Sequence, residues 1–156
     1  MRFFDQVPVG YKSTIGTWQL TEADVIAFAK TWDPQSFHID KQAAEASVFG
    51  ELVASSLHIF AICTRLFFDH EDDIQIMAML GKDKIRLHQS ARATDLLIYT
   101  TECISATPSS SKPDRGIVVL SDSVTRESGE IVMTQEVTLM VARDQSRGAE
   151  VGGSSL

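Results

Sequence analysis

The feature that most constrains this chain is an apolar run from Leu52 to about Phe68 that reads as one helix without a wholly polar side. Val53, Leu57, Phe60, Ala61, Thr64 and Phe68 recur at helical spacing, and Ile59, Ile62, Leu66 and Phe67 fill positions between them. A helix that is hydrophobic on most sides is stable only where other elements cover it. His58, Arg65 and several small polar residues make the run too polar to span a membrane. The cover must therefore come from the rest of the 156-residue chain, which is the size of one domain and 44% hydrophobic.

The flanking sequence supplies that cover. Tyr11 to Gln19 is rich in β-branched and aromatic residues and predicts a strand. Thr21 then caps a helix carrying Val25, Ile26, Phe28 and Ala29, which Pro34 limits. Asp40 is a second cap, opening a short turn through Lys41 to Ala46. Beyond the long helix the period changes to that of strands. Ile74 to Leu80, Ile85 to Leu87, Leu96 to Thr107, Ile117 to Thr125 and Ile131 to Val141 are enriched in Val, Ile, Leu and Thr. Glu127-Ser128-Gly129-Glu130 predicts a hairpin turn, and Thr107 to Gly116 a loop. This order predicts an α+β domain in which a mainly antiparallel sheet wraps around one long central helix, the arrangement of the hotdog fold. No linker divides the chain, so residues 1–146 are expected to form one domain and 147–156, rich in Gly and Ser, a flexible tail.

Charge and cysteine usage narrow the function classes. The net charge of −7 argues against a nucleic-acid binder. Cys63 and Cys103 lack metal-ligand spacing and are expected to be reduced core residues. With no signal peptide or membrane span in the sequence, a cytoplasmic location is the default expectation.

The segment from Trp32 to Asp40 carries the chemistry. Pro34 is expected to keep it out of a regular helix, so that Asp33 and His38 turn toward one point. A carboxylate and an imidazole converging on one water can share its protons, which is general acid–base work. The same two residue types in a loop also serve as a cap and a surface hydrogen bond.

Asp33-Pro34-Gln35-Ser36-Phe37-His38-Ile39-Asp40, with Ala43-Ala44, Ser47, Phe49-Gly50 and Ala54-Ser55, closely resembles the MaoC-like, (R)-specific enoyl-CoA hydratase family. Its signature runs Asp-x-Asn-Pro-x-His, then five residues and a small one. Asp33, His38 and Ala44 match it, with Gln35 and Ser36 at the Asn and Pro positions. The likeness extends more weakly through Ser111 to Gly116 and the closing strands.

The resemblance implies a hotdog homodimer that adds water across, or removes it to form, the double bond of a 2-enoyl thioester of coenzyme A or acyl carrier protein. It implies catalytic Asp33 and His38, and a backbone N–H at the start of the long helix that bonds the thioester carbonyl. That position is Ser56 here, where the family has glycine. A serine keeps the N–H and adds a Cβ and a hydroxyl. No metal or redox cofactor is implied. Phe49, Leu52 and Phe60 are candidates for the acyl pocket, and Lys82, Lys84, Arg86, Lys112 and Arg115 for the coenzyme A phosphates. The same residues also suit plain core and a solvated face. Rival readings are a hotdog acyl-thioesterase and a non-catalytic acyl-thioester binding or sensing module. His58 reads as a buried structural residue, His70 to Asp73 as a solvated acidic loop, and His88 has no evident partner in the sequence.

Overall fold

The computed structural model describes residues 1–70 and 74–148. A 3-10 turn at Phe4–Gln6 precedes β1 (Lys12–Gln19), α1 (Glu22–Trp32), α2 (Ser36–Ile39), α3 (Lys41–Glu45) and α4 (Ser56–Asp69). The strands β2 (Ile76–Leu87), β3 (Leu96–Pro108), β4 (Arg115–Arg126) and β5 (Ile131–Ala142) follow, and a second 3-10 turn lies at Gln145–Gly148. The five strands form one antiparallel sheet in the order β1-β3-β4-β5-β2. Alternate residues of β4 from Gly116 to Arg126 are buried, so one face of the sheet carries the core. Ile59, Ile62 and Cys63 of α4 pack on that face against Leu97, Tyr99, Val124 and Met133. This is the α+β arrangement of sheet and helix that the apolar run requires.

Local signals act where they were read. The Thr21 hydroxyl accepts the N–H of Asp24 at 3.2 Å, and the Asp40 carboxylate that of Ala43 at 2.8 Å. Gly129, at φ 92°, makes the hairpin turn between β4 and β5. Cys63 and Cys103 are free and buried, and burial pushes the Cys63 thiol up to about 12.

Four details differ from expectation. First, α4 begins at Ser56 rather than Leu52. Leu52 to Ala54 are extended, because Ala54 N–H donates to Ala91 O and Ala93 N–H to Leu52 O, and the Ser55 hydroxyl caps the helix. Second, α4 buries one face only; Leu57 is 47% exposed and Phe68 74%. Third, β2 is a single strand with register shifts, one of them beside Lys84 at φ 49°, instead of two short strands. Fourth, the segment after Pro34 is not wholly irregular: one helical turn, α2, carries His38. The expected tail lies outside the described residues apart from Arg147 and Gly148, as does the acidic loop from Glu71 to Asp73. No helix among the described residues is long and apolar enough to cross a membrane.

Candidate active site

Pro34 ends α1 so that Asp33 becomes its C-cap, with φ −154° and ψ 72°. Gln35 is extended and α2 then turns His38 back, placing Nε2 3.4 Å from Asp33 Oδ2. Each side chain is held by a further partner. His38 Nδ1 lies 2.7 Å from the Val53 carbonyl oxygen, which can only accept, so the proton sits on Nδ1 and Nε2 turns toward Asp33. Asp33 Oδ2 accepts the Ser55 hydroxyl at 2.6 Å, and Oδ1 accepts the Gln35 amide at 3.0 Å. These two donors, Ser55 first, hold the Asp33 carboxyl below the usual carboxylate range, with a smaller contribution from His38 and opposition from burial. The pair is therefore a carboxylate beside an oriented imidazole.

Both residues line a cleft of about 500 Å³, with Phe37, Phe49, Ser56 and Ala91 among its other walls. Ser56 is the first residue of α4, where a backbone N–H has no intrahelical partner and the helix dipole favours negative charge. The far wall, from Leu87 to Ala91, is pinned from behind by Arg126, which is 5% exposed. Its guanidinium donates to the Ser90 carbonyl, to Asp95 at 2.9 Å and to Glu130 at 2.7 Å. A carboxylate, an imidazole and a helix N-terminus thus face one opening. Among the described residues no group of three or more His, Cys, Asp and Glu could hold a metal ion.

The structure brings Asp33, His38, Ser56 and Phe49 together in this cleft. Leu52 is instead 5% exposed in the core, and Phe60 packs at the core edge with Lys82 Nζ 5.6 Å from its ring. Lys84 pairs with Glu136 at 2.9 Å, and Arg86 is exposed on β2. Arg115 pairs with its neighbour Asp114 at 2.7 Å. By strand register Arg115 stands opposite Ala142, whereas Leu87 of the cleft stands opposite Met133, so Lys112 and Arg115 occupy the other end of the sheet. Nothing in the sequence signals that Ser55 bonds Asp33. The two lie twenty-two residues apart, and no spacing rule links such positions. His88 also lines the cleft, its Nε2 2.8 Å from the Thr134 hydroxyl, and the His70 ring lies 3.1 Å from the Ser13 hydroxyl.

Residues 6–115 match the protein family described as the MaoC like domain. The fold is similar to that of the MaoC-like dehydratase from Rhodospirillum rubrum, with 32% identity and a TM-score of 0.87 over 92% of this chain and 99% of that one. It is similar to the R-hydratase PhaJ1 from Pseudomonas aeruginosa, at 20% identity and a TM-score of 0.72 over 99% and 96% of the two chains. A Mycobacterium tuberculosis protein with a double hotdog fold aligns at 15% identity and a TM-score of 0.78, over 92% of this chain and 45% of that one. No curated protein sequence matches the chain.

Proposed function

The chain belongs to the MaoC-like family of hydratases and dehydratases, and from that premise we propose that its substrate is a 2-enoyl thioester carried by coenzyme A or acyl carrier protein. The observation that carries this reading is the 3.4 Å approach of Asp33 Oδ2 and His38 Nε2 at the edge of a cleft that Ser56, the first residue of α4, also lines. A water between the two side chains gives one hydrogen to the carboxylate and one to Nε2. Its oxygen adds to C3 as Nε2 takes the proton, and the electron pair of the double bond moves toward the thioester carbonyl oxygen. The Ser56 N–H faces that oxygen and stabilises its charge. Return of a proton from the Asp33–His38 pair to C2 completes the addition, and dehydration is the reverse. The reaction needs water and the chain's own residues. Acid–base catalysis of this kind contributes about 10²–10⁴ in rate.

We also place a second copy of the chain against β2. This edge strand exposes Met77, Met79 and Leu80 at 44%, 56% and 52%, and the exposed Phe68 of α4 lines the same opening as Met79. Pairing there covers both an open strand edge and an apolar patch.

Incubation with crotonyl-CoA tests the activity. Loss of absorbance at the enoyl thioester band without free thiol is the expected result. Release of thiol would show a thioesterase instead, and binding without turnover a sensing module.

A further inference from the structure

A second cavity, of about 320 Å³, opens under the C-terminal half of α4. Phe67, Ile74, Leu120, Val137 and Leu139 give it apolar walls, but its floor is polar. Tyr99, Asp122 and Gln135 line it and are only 4%, 2% and 2% exposed. The Asp122 carboxylate accepts from the hydroxyls of Tyr99 at 2.8 Å and Thr101 at 2.7 Å, and from the Gln135 amide at 2.9 Å. Lys82, which also lines the cavity, donates to Gln135 Oε1 at 3.4 Å. Apolar side chains would fill a sheet face under a helix without the cost of desolvating a carboxylate. The cluster therefore asks for a use.

Its unfilled bonding capacity describes the ligand. A carboxylate offers about four acceptor positions, and the three donors leave Asp122 about one. An ammonium has three donors, of which Lys82 spends one on Gln135. One acceptor and spare donors are the complement of a hydroxyl group. Lys82 and Asp122 also balance in charge, so a neutral polar group suits the floor better than an anion.

The cavity and the active-site cleft are separate openings that lie along the same two elements, α4 and β2. Ser56 and Ile59 of α4 line the cleft, while Cys63, Thr64 and Phe67 line the cavity. On β2 the order is Leu87 at the cleft, then Lys82 and Met79 at the cavity. From Ser56 to Cys63 the helix rises about 10 Å. We propose that the acyl chain of the substrate reaches from the cleft along α4 and β2 into the cavity, and that the cavity selects chains with a distal hydroxyl group, held by Lys82 and Asp122. This inference rests on the hydratase reading above.

Steady-state hydration of 2-octenoyl-CoA and of its ω-hydroxy and ω-carboxy analogues, by wild type, Lys82→Met and Lys82→Arg, provides the test. The expected result is a KM about tenfold lower for the ω-hydroxy chain than for the alkyl chain at similar kcat, a ratio that one distal hydrogen bond supports. Lys82→Met removes that preference, and Lys82→Arg keeps it. Equal KM values for the three chains overturn the proposal, as does a preference for the ω-carboxy chain. So does a rise in KM that Lys82→Met causes equally for all chains, which would make Lys82 a contact to the coenzyme. Hydration of none of the three overturns the underlying reading and this one with it, whereas hydration without selection overturns this one alone.

Discussion

The Ser55 hydroxyl donates a 2.6 Å hydrogen bond to Asp33 Oδ2 and accepts the N–H of Leu57 at 3.2 Å. One side chain thereby caps α4 and orients the carboxylate. Ser55→Ala removes a donor that favours the ionised form, so the Asp33 pKa rises toward the ordinary value. The acid limb of the kcat/KM profile moves to higher pH, and kcat falls by about tenfold. Lost capping costs about 1 kcal/mol of stability. Ser55→Thr restores the profile. An unchanged acid limb in Ser55→Ala would show that Ser55 only caps the helix.

Asp33→Asn and His38→Ala address the pair itself. Each is expected to lower kcat by about 10²–10⁴ on an authentic substrate, with little change in the circular dichroism spectrum. Because both act on one water, the double variant should be little worse than either single one. Wild-type rates in both single variants would sink the assignment.

Proline at position 56 separates the backbone donor from the side chain. Ser56 is the first residue of α4, where proline is tolerated, and Ser55 already has the extended geometry (φ −61°, ψ 145°) that proline demands of its predecessor. Ser56→Pro therefore keeps the helix but deletes the N–H, and kcat should fall by about 10²–10³. Ser56→Gly keeps the N–H and should not show this loss. Single-turnover kinetics with matched thermal melts read the difference.

His58 sets a pH dependence of stability. Its ring stacks on Phe28 with centroids 4.4 Å apart, and Nδ1 is buried without a hydrogen-bond partner among the described residues. Burial pushes its pKa down, with Asp24 partly opposing. The folded state thus holds a neutral ring that the unfolded chain protonates below about pH 6.5. The contribution is whole above that pH and is lost as pH falls from there toward the folded value. Thermal melts between about pH 7 and 5 should show Tm falling with acidity, and His58→Phe should flatten that slope. A parallel slope in the variant would place the titration elsewhere.

What the sequence by itself determined is local or periodic. The caps at Thr21 and Asp40, the stop at Pro34, the turn at Gly129 and the alternation of β4 and β5 each depend on neighbours a few residues away. The five-residue bend lets Asp33 and His38 meet, but it was the resemblance to the MaoC-like family, more than the spacing, that singled them out. The tertiary structure alone decided three things. It started α4 at Ser56 because Leu52 to Ala54 found backbone partners near Ala91 and Ala93. It brought Ser55 to Asp33, and it gathered Tyr99, Thr101, Asp122 and Gln135 from three strands into one buried cluster. Such contacts join positions far apart in the chain. Their existence depends on register and on how helix and sheet pack, which no window of sequence contains.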